Sequence, residues 1–408
     1  MLTPQPALQP KRSSSLRFGV ALAGGGPLGA FYELGALHAI AESIAGLDLT
    51  DCATYVGVSS GSLVASGLAN GLSTVEMGRM FITNEAIEFP LPPGLLVRPA
   101  VAEYLQRLAG VPGALGRAVL QYVSDPWNQT LAGSVSSLAQ TVPTGLFDNR
   151  PIERFLEQLF TTGDRTNDFR KLERQLYIVA TDLNSGESVR FGEPGFDHVP
   201  ISRAVQASTA LPGLYPPVRI GRHYYVDGAL IRTMNASLAL EQGADFVICI
   251  NPLVAFNGAQ DGRRRLSHNL MEGGLPVVLS QTFRALIQSR MYVGMASYRG
   301  RYPHADLLLF EPDRNDERMF FVNVFRYSDR QKLVDHAYQR TRRDLLFNAT
   351  DLRPLLARHG LELRMDLLRD PHRHFRTAIE QERRERHAVF RKLDQTLDHL
   401  HAALQAVR

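Results

Sequence analysis

The pentad Gly57-Val58-Ser59-Ser60-Gly61 constrains this chain more than any other stretch. It reads G-x-S-x-G. A strand-like run at 53–56 leads into it, and a run of small and apolar residues at 62–69 leads out. Strand, sharp turn and helix are the setting in which this pattern presents a serine as a nucleophile. Gly57 and Gly61 flank the serine because a Cβ on either side would crowd so tight a turn. The turn lifts the Ser59 hydroxyl out of a sheet and sets it beside a helix N-terminus, where backbone N–H groups stabilise negative charge. Ser59 is therefore a candidate for covalent attack on an ester. By itself the pentad also fits a glycine-rich turn carrying a solvated serine.

Upstream, 17–23 (RFGVALA) reads as a short buried strand, followed by Gly24-Gly25-Gly26-Pro27-Leu28-Gly29. A helix over 29–44 comes next, with Phe31, Leu34, Leu37, Ile40, Ala41 and Ile44 at steps of three and four. Glycines at a strand end let the backbone approach a ligand, and Pro27 suits a first helical turn, where its missing N–H costs nothing. The N–H groups of Gly24, Gly25, Gly26, Leu28 and Gly29, with that of Ser60, are candidate oxyanion donors. The same loop also fits the dinucleotide fingerprint G-x-G-x-x-G at Gly24, Gly26 and Gly29. Asp48 and Asp51 stand near where a ribose-binding acid is expected. A nicotinamide or flavin enzyme is thus a rival reading, although such a site has no use for a serine elbow.

Downstream, Asp227-Gly228-Ala229 closes a strand-like run at 222–227. Aspartate followed by glycine at a strand end is commonly a turn. Its functional reading is a general base for Ser59.

Taken together and in this order, the glycine loop, the serine elbow and the Asp-Gly-Ala turn resemble the patatin-like phospholipase family in its bacterial form. Supporting phrases are similar too: Thr181-Asp182 with Gly186, 207–212 (ASTALP) before Tyr215-Pro216-Pro217-Val218, and Gly243-Ala244-Asp245 before a strand at 246–250. The resemblance covers about 17–255, with 72–145 poorly matched. It implies an α/β fold: a three-layer sandwich with a mostly parallel central sheet between helices, a helical lid insertion and a helical C-terminal extension. It also implies a lipid acyl hydrolase of the phospholipase A or lysophospholipase type. Ser59 would form the acyl-enzyme and Asp227 would act as base without a catalytic histidine. Gly24–Gly29 and Ser60 would hold the oxyanion, with Gly57, Gly61 and Gly228 as motif support and no metal or organic cofactor. Neutral glyceride, polyester or thioester hydrolysis by the same dyad are alternatives. A further alternative is an inactive lipid-associated scaffold. The family commonly carries Arg or Lys where this chain has Leu28, so the loop is left with backbone donors and no cation for an anionic head group. An ordinary α/β-hydrolase would need a late catalytic histidine; His223, His268 and His304 are available, none in a recognisable context.

The organisation follows from periodicity. Strands are expected at 17–23, 53–58, 175–181, 222–227 and 245–250, with helices at 29–44, 60–70, 150–161, 201–208 and 234–242. That alternation implies a parallel or mixed sheet between helical layers. Residues 1–16, rich in Pro, Ser and Gln, are expected to be a disordered tail, and 17–330 the catalytic domain. Within it, 72–145 is apolar, broken by Pro and Gly, and holds the only tryptophan, Trp127; it is placed to roof the serine as a lid. Residues 256–330 suggest a helix over 276–298 and a late strand over 305–310, with no chemistry assignable. The stretch 331–408 is helical and charged. Phe390, Leu393, Leu397, Leu400 and Leu404 keep a seam spacing over a short repeat, which raises a homodimer through the C-terminal helix as a hypothesis.

Composition excludes several classes. A net charge of +4 over 408 residues does not indicate nucleic-acid binding. Two cysteines, Cys52 and Cys249, exclude a disulfide framework, and no metal-ligand spacing is present. Without a signal-peptide layout or an apolar run of membrane-spanning length, the expectation is a cytoplasmic protein in peripheral contact with membrane or lipid.

Overall fold

The computed structural model describes residues 1–10, 16–83, 143–257, 274–320 and 329–382, with isolated positions between 85 and 104. Among them, nine strands form one mixed sheet. They are β1 Leu2–Gln5, β2 Phe18–Leu22, β3 Thr54–Val58, β4 Gln175–Asp182, β5 Ser188–Phe191, β6 Val218–Ile220, β7 His223–Asp227, β8 Phe246–Ile250 and β9 Asp306–Phe310. The order is β1-β9-β8-β2-β3-β4-β7-β6, with β5 also paired to β4. The five strands from β9 to β4 run parallel. The pairings of β1, β5, β6 and β7 are antiparallel. The five core strands expected from the sequence and the late strand at 305–310 are all present, each within about two residues of the expected bounds.

Alternation sorts the sheet into two cores, as a parallel sheet covered on both faces requires. On one face Val20, Leu22, Tyr55, Ile178, Ile248 and Phe310 join the larger cluster. On the other, Ala21, Val56, Val58, Val179, Cys249 and Leu309 join the smaller. Three helices, α1 Gly29–Ser43, α2 Ser60–Ala69 and α3 Ile201–Ser208, cover the first face. Helix α4, Gly274–Arg301, covers the second through Ile287, Met291 and Met295. Both cysteines are buried and free.

The first sixteen residues are not wholly a tail. Leu2–Gln5 pairs antiparallel with β9, and the Leu2 side chain enters the main core. Composition conceals this because the strand has no pattern of its own. The open edge of β9 supplies the hydrogen-bonding partners, and Pro4 is tolerated on an edge strand.

The C-terminal stretch is helical, beginning with α5, Asp329–Phe347. Leu333, Val334, Ala337 and Tyr338 join the same core as the sheet. This explains why α1 is buried nearly all round, although its sequence predicts one apolar face. The contact is backbone-close: a Cβ on Gly35 would lie 2.3 Å from the Val334 carbonyl oxygen. An ionic cluster stitches the helices together. Glu42 on α1 accepts from the Tyr338 hydroxyl and pairs with Arg373 at 2.8 Å. His38 stacks on Tyr338, and burial pushes its imidazole down to about 4. Ile379, in register with the expected seam, is buried with its Cδ1 beside Gly78 of the same chain. The seam from Phe390 to Leu404, and the homodimer it suggests, lie outside the described residues, as do most of the 72–145 insertion and Trp127. Among the described residues, no helix is long and apolar enough to cross a membrane.

Gly35→Ala tests the α1–α5 approach by its sign. On an isolated helix the change favours folding by up to about 1 kcal/mol. Here the added methyl strikes backbone, and a destabilisation of about 1–3 kcal/mol is expected from urea unfolding. A raised urea midpoint would refute the close packing.

Candidate active site

Ser59 lies between β3 and α2 with φ 51° and ψ −124°. An L-residue holds such a conformation only where its surroundings over-determine it, at a cost of about 1–3 kcal/mol. The flanking glycines show what does so. A Cβ on Gly57 would lie 2.5 Å from Ser62 Cα, and one on Gly61 would lie 2.5 Å from the Leu22 carbonyl oxygen. Helix α2 therefore starts in backbone contact with the ends of two strands, which forces the tight turn. Ser62 Oγ donates to the Ser59 carbonyl at 2.5 Å, and the Ser59 N–H donates to Ser208 Oγ at 2.8 Å.

Sheet register brings Asp227 to the serine. Val58 lies opposite Val179 in the parallel β3–β4 pair, so one step on Ser59 reaches the level of Ala180. From the other side, antiparallel β7 sets Asp227 opposite Ala180. Two strand spacings of about 4.8 Å then separate the backbones, a gap that the two side chains close. Ser59 Oγ donates to Asp227 Oδ2 at 2.5 Å, and both residues are buried. Asp227 Oδ1 accepts from the Ala229 N–H at 2.8 Å. The aspartate backbone is also held: its N–H donates to the Ala210 carbonyl at 3.0 Å, and its carbonyl accepts from Thr181 Oγ1 at 3.1 Å. Burial pushes the carboxyl up to about 6, against the opposing pull of the hydrogen bonds from Ser59 and Ala229.

The glycine loop packs directly on this pair. A Cβ on Gly24 would sit 3.1 Å from Ser59 Cβ and 2.7 Å from Ala229 Cβ. Two of the expected oxyanion donors are already engaged. The Gly25 N–H donates to Ser60 Oγ at 2.9 Å, and the Gly29 N–H donates to the Gly26 carbonyl within a 3-10 turn. Gly26, at φ 65°, and Ser60 line a cavity together with Ser59 and Asp227. That cavity holds about 50 Å³, and Ala30, Phe31, Leu63, Ile152 and Leu214 make its walls apolar. Phe81 and Leu95, both within the 72–145 insertion, also line it. The Leu28 side chain is buried in the main core.

The remaining sequence candidates fall elsewhere. His223 Nδ1 pairs with Asp182 at 2.7 Å, and His304 Nδ1 lies 2.6 Å from the Gln9 carbonyl; His268 lies outside the described residues. Asp227 is bonded by Ser59 and Ala229, while His223 and His304 bond Asp182 and Gln9, so neither of these histidines forms a triad with it. Asp48 bonds Thr50, and Asp51 pairs with Arg174. Both precede the amino end of β3, whereas the glycine loop follows the carboxyl end of β2. These acids stand at the wrong edge of the sheet for a ribose bound at that loop, which removes the dinucleotide reading. In the sequence, Ser208 and Thr181 stand out only as parts of similar phrases. Each in fact holds one catalytic candidate, Ser208 by also donating to the Val179 carbonyl at 2.6 Å. A buried hydroxyl on the last turn of a helix is too common a feature for pattern alone to single out.

The family profile of the patatin-like phospholipases matches residues 20–240. Uncharacterized NTE family proteins of Mycobacterium tuberculosis and Mycobacterium bovis are 33% identical over 82 residues, covering 20% of this chain and 13% of theirs. The match thus spans only about an eighth of the length of those relatives. Among solved structures, VipD from Legionella pneumophila is 21% identical with a TM-score of 0.32, covering 60% of this chain and 51% of its own. The type III effector protein ExoU is 17% identical with a TM-score of 0.29, covering 83% and 62%. With the profile spanning more than half of its residues, from β2 through the serine elbow to the Asp227 turn, this chain belongs to the patatin-like phospholipase family.

Proposed function

We propose that this protein hydrolyses carboxylic esters of lipids through a Ser59 acyl-enzyme, with Asp227 as general base. The observation that carries the reading is the 2.5 Å hydrogen bond from Ser59 Oγ to Asp227 Oδ2 at the foot of an apolar cavity. Ser59 Oγ attacks the ester carbonyl carbon while Asp227 Oδ2 takes the hydroxyl proton. The tetrahedral oxyanion is held by the N–H groups of Gly26 and Ser60, the two expected donors that line the cavity. The residue after the nucleophile commonly serves this role. Collapse expels the alcohol, which takes the proton back from Asp227. Water then attacks the acyl-enzyme with Asp227 again accepting the proton; collapse expels Ser59 Oγ, which takes that proton back from Asp227 as the fatty acid leaves. Carboxylates are weak bases for a hydroxyl; burial helps by raising the basicity of Asp227.

The apolar walls favour an acyl chain, and Phe81 and Leu95 support the reading of 72–145 as a lid over it. With Leu28 buried, the glycine loop presents backbone donors only. Phospholipid, glyceride, polyester and thioester are ranked by measuring fatty-acid release across a mixed panel.

Ser59→Ala and Asp227→Asn are each expected to lower release by about 10³-fold or more, because a nucleophile or its base is lost. Release that survives both substitutions would overturn the mechanism. In folded wild type, a serine-directed phosphonate that fails to label Ser59 would turn the reading to an inactive scaffold.

The rate should follow ionisation of the base. kcat/KM is expected to rise as pH increases through about 6 and then level off, since only ionised Asp227 accepts the proton. A profile flat between pH 4.5 and 8 would exclude this base.

Stability should move the opposite way. Asp227 titrates near 6 when folded, against an ordinary aspartate value of 3.8, so its contribution is fully present below about 4 and lost as pH rises through about 6. A gap of about two pH units corresponds to about 3 kcal/mol. Asp227→Asn, which never ionises, is therefore expected to gain stability over wild type by up to that amount at pH 8. At pH 4 it should gain little. Equal gains in urea unfolding at both pH values would contradict the buried charge as the cause.

A further inference from the structure

Helix α4 contains no aspartate or glutamate in its 28 residues, and it carries Arg284, Arg290, Arg299 and Arg301. Its buried side packs through Ile287, Met291 and Met295. Leu279, Phe283, Leu286 and Val293 project elsewhere, at 45%, 46%, 56% and 71% exposure. The intervals are four, three and seven, and Arg290 fills the step between Leu286 and Val293, so these residues form one stripe along the helix. A helix resting on a sheet ordinarily turns polar side chains to water at such positions. Four large apolar residues in register mark an interaction face.

The position of the helix gives this face a direction. Gln281 and Gln288 clasp the loop after β8: Gln281 Oε1 accepts from the Phe256 N–H at 3.1 Å, and Gln288 Oε1 accepts from the Ala255 N–H at 3.0 Å. Pro252 of that loop abuts the glycine loop, where a Cβ on Gly25 would meet it at 2.4 Å. The stripe therefore begins at the edge of the sheet where Ser59 sits. Beyond it, a cleft of about 400 Å³ opens between α4 and residues 231–237, with Arg232, Arg290 and Arg301 on its walls. Arg290 Nη1 donates to the Leu230 carbonyl at 2.9 Å, and Arg301 lies 3.7 Å from Glu241.

We propose that this face of α4 docks on an anionic lipid surface. The apolar stripe enters the acyl boundary, and Arg290 within it, with Arg301 and Arg232 at the cleft, meets head-group phosphates. Charge selects this occupant. Two-fold pairing of the face with a second copy is self-complementary and would bring arginine-rich surfaces together. An anionic bilayer matches the apolar stripe and the arginines at 232, 290 and 301 beside it at once. The proposal deepens the lipid-ester reading in one respect, by naming the surface from which substrate reaches Ser59.

Binding is measured in the Ser59→Ala protein, so that hydrolysis cannot alter the membrane, by cosedimentation with two kinds of vesicle. One is phosphatidylcholine alone; the other is phosphatidylcholine and phosphatidylglycerol in equal parts. Tighter binding to the second, weakened by salt, is expected. Combining Phe283→Ser, Leu286→Ser and Val293→Ser should weaken it by at least about tenfold. Arg290→Glu should weaken it by about fivefold or more. With Ser59 intact, the triple variant should keep its rate on a short soluble ester, which checks its fold. A Phe283→Trp protein should show a blue shift in its emission on anionic vesicles. The proposal fails if the parent does not bind anionic vesicles, or if the triple variant binds them as tightly as the parent. It also fails if the parent is a dimer that the triple variant dissolves into monomers. Vesicle binding by a wild type without esterase activity would leave the docking standing and remove the hydrolase reading; esterase activity without binding would do the reverse.

Discussion

The hydrogen bond between Ser59 Oγ and Asp227 Oδ2 joins residues 168 positions apart, and much of the fold serves to let it form. It needs two strands, β3 and β7, in register on either side of β4. It also needs a serine backbone held at positive φ, and a carboxylate kept from water. The last two conditions oppose stability. The turn at Ser59 stores strain, and the buried Asp227 resists ionisation. What offsets them is packing: glycines at 24, 57, 61 and 228 that let backbone meet backbone, and two cores that fix the strand ends from both faces.

The same packing divides the glycines' work in a way a motif does not reveal. The loop from 24 to 29 is read in sequence as a row of equivalent N–H donors. In the fold, the Gly25 N–H bonds Ser60 Oγ and so ties the loop to the elbow, and the Gly29 N–H closes a turn. Only Gly26 and Ser60, among the expected donors, line the cavity. The hydroxyl of Ser60 thus serves the scaffold, while the same residue also lines the cavity.

How much was legible follows from which signals are local. Core strands and helices announce themselves by apolar runs and by spacing, so β2, β3, β4, β7, β8 and β9 were expected close to where they lie. Ser59 and Asp227 were legible because each sits in a tight turn with glycine beside it. Leu2–Gln5 was not, since its place depends on the free edge of β9 rather than on its own residues. Nor was the burial of α1 on both sides. That comes from α5, some 300 positions away, through a contact that only Gly35 permits. Ser208 and Thr181 escaped for a related reason: a serine and a threonine acquire roles from the backbone groups brought to them.

Helix α4 shows the limit from the other side. Its sequence predicts a helix and nothing more, because its apolar residues alone do not say which of them a sheet will cover. The fold assigns Ile287, Met291 and Met295 to the sheet, and leaves Leu279, Phe283, Leu286 and Val293 in water. Covering the second face of the sheet would require only the first set. The second set and the absence of any acidic residue therefore need a separate cause, one outside the packing of the domain. A lipid surface meets both requirements together, because its interior accepts the apolar stripe and its phosphates accept the arginines. It would also present ester bonds at the edge of the sheet where the strained turn holds Ser59.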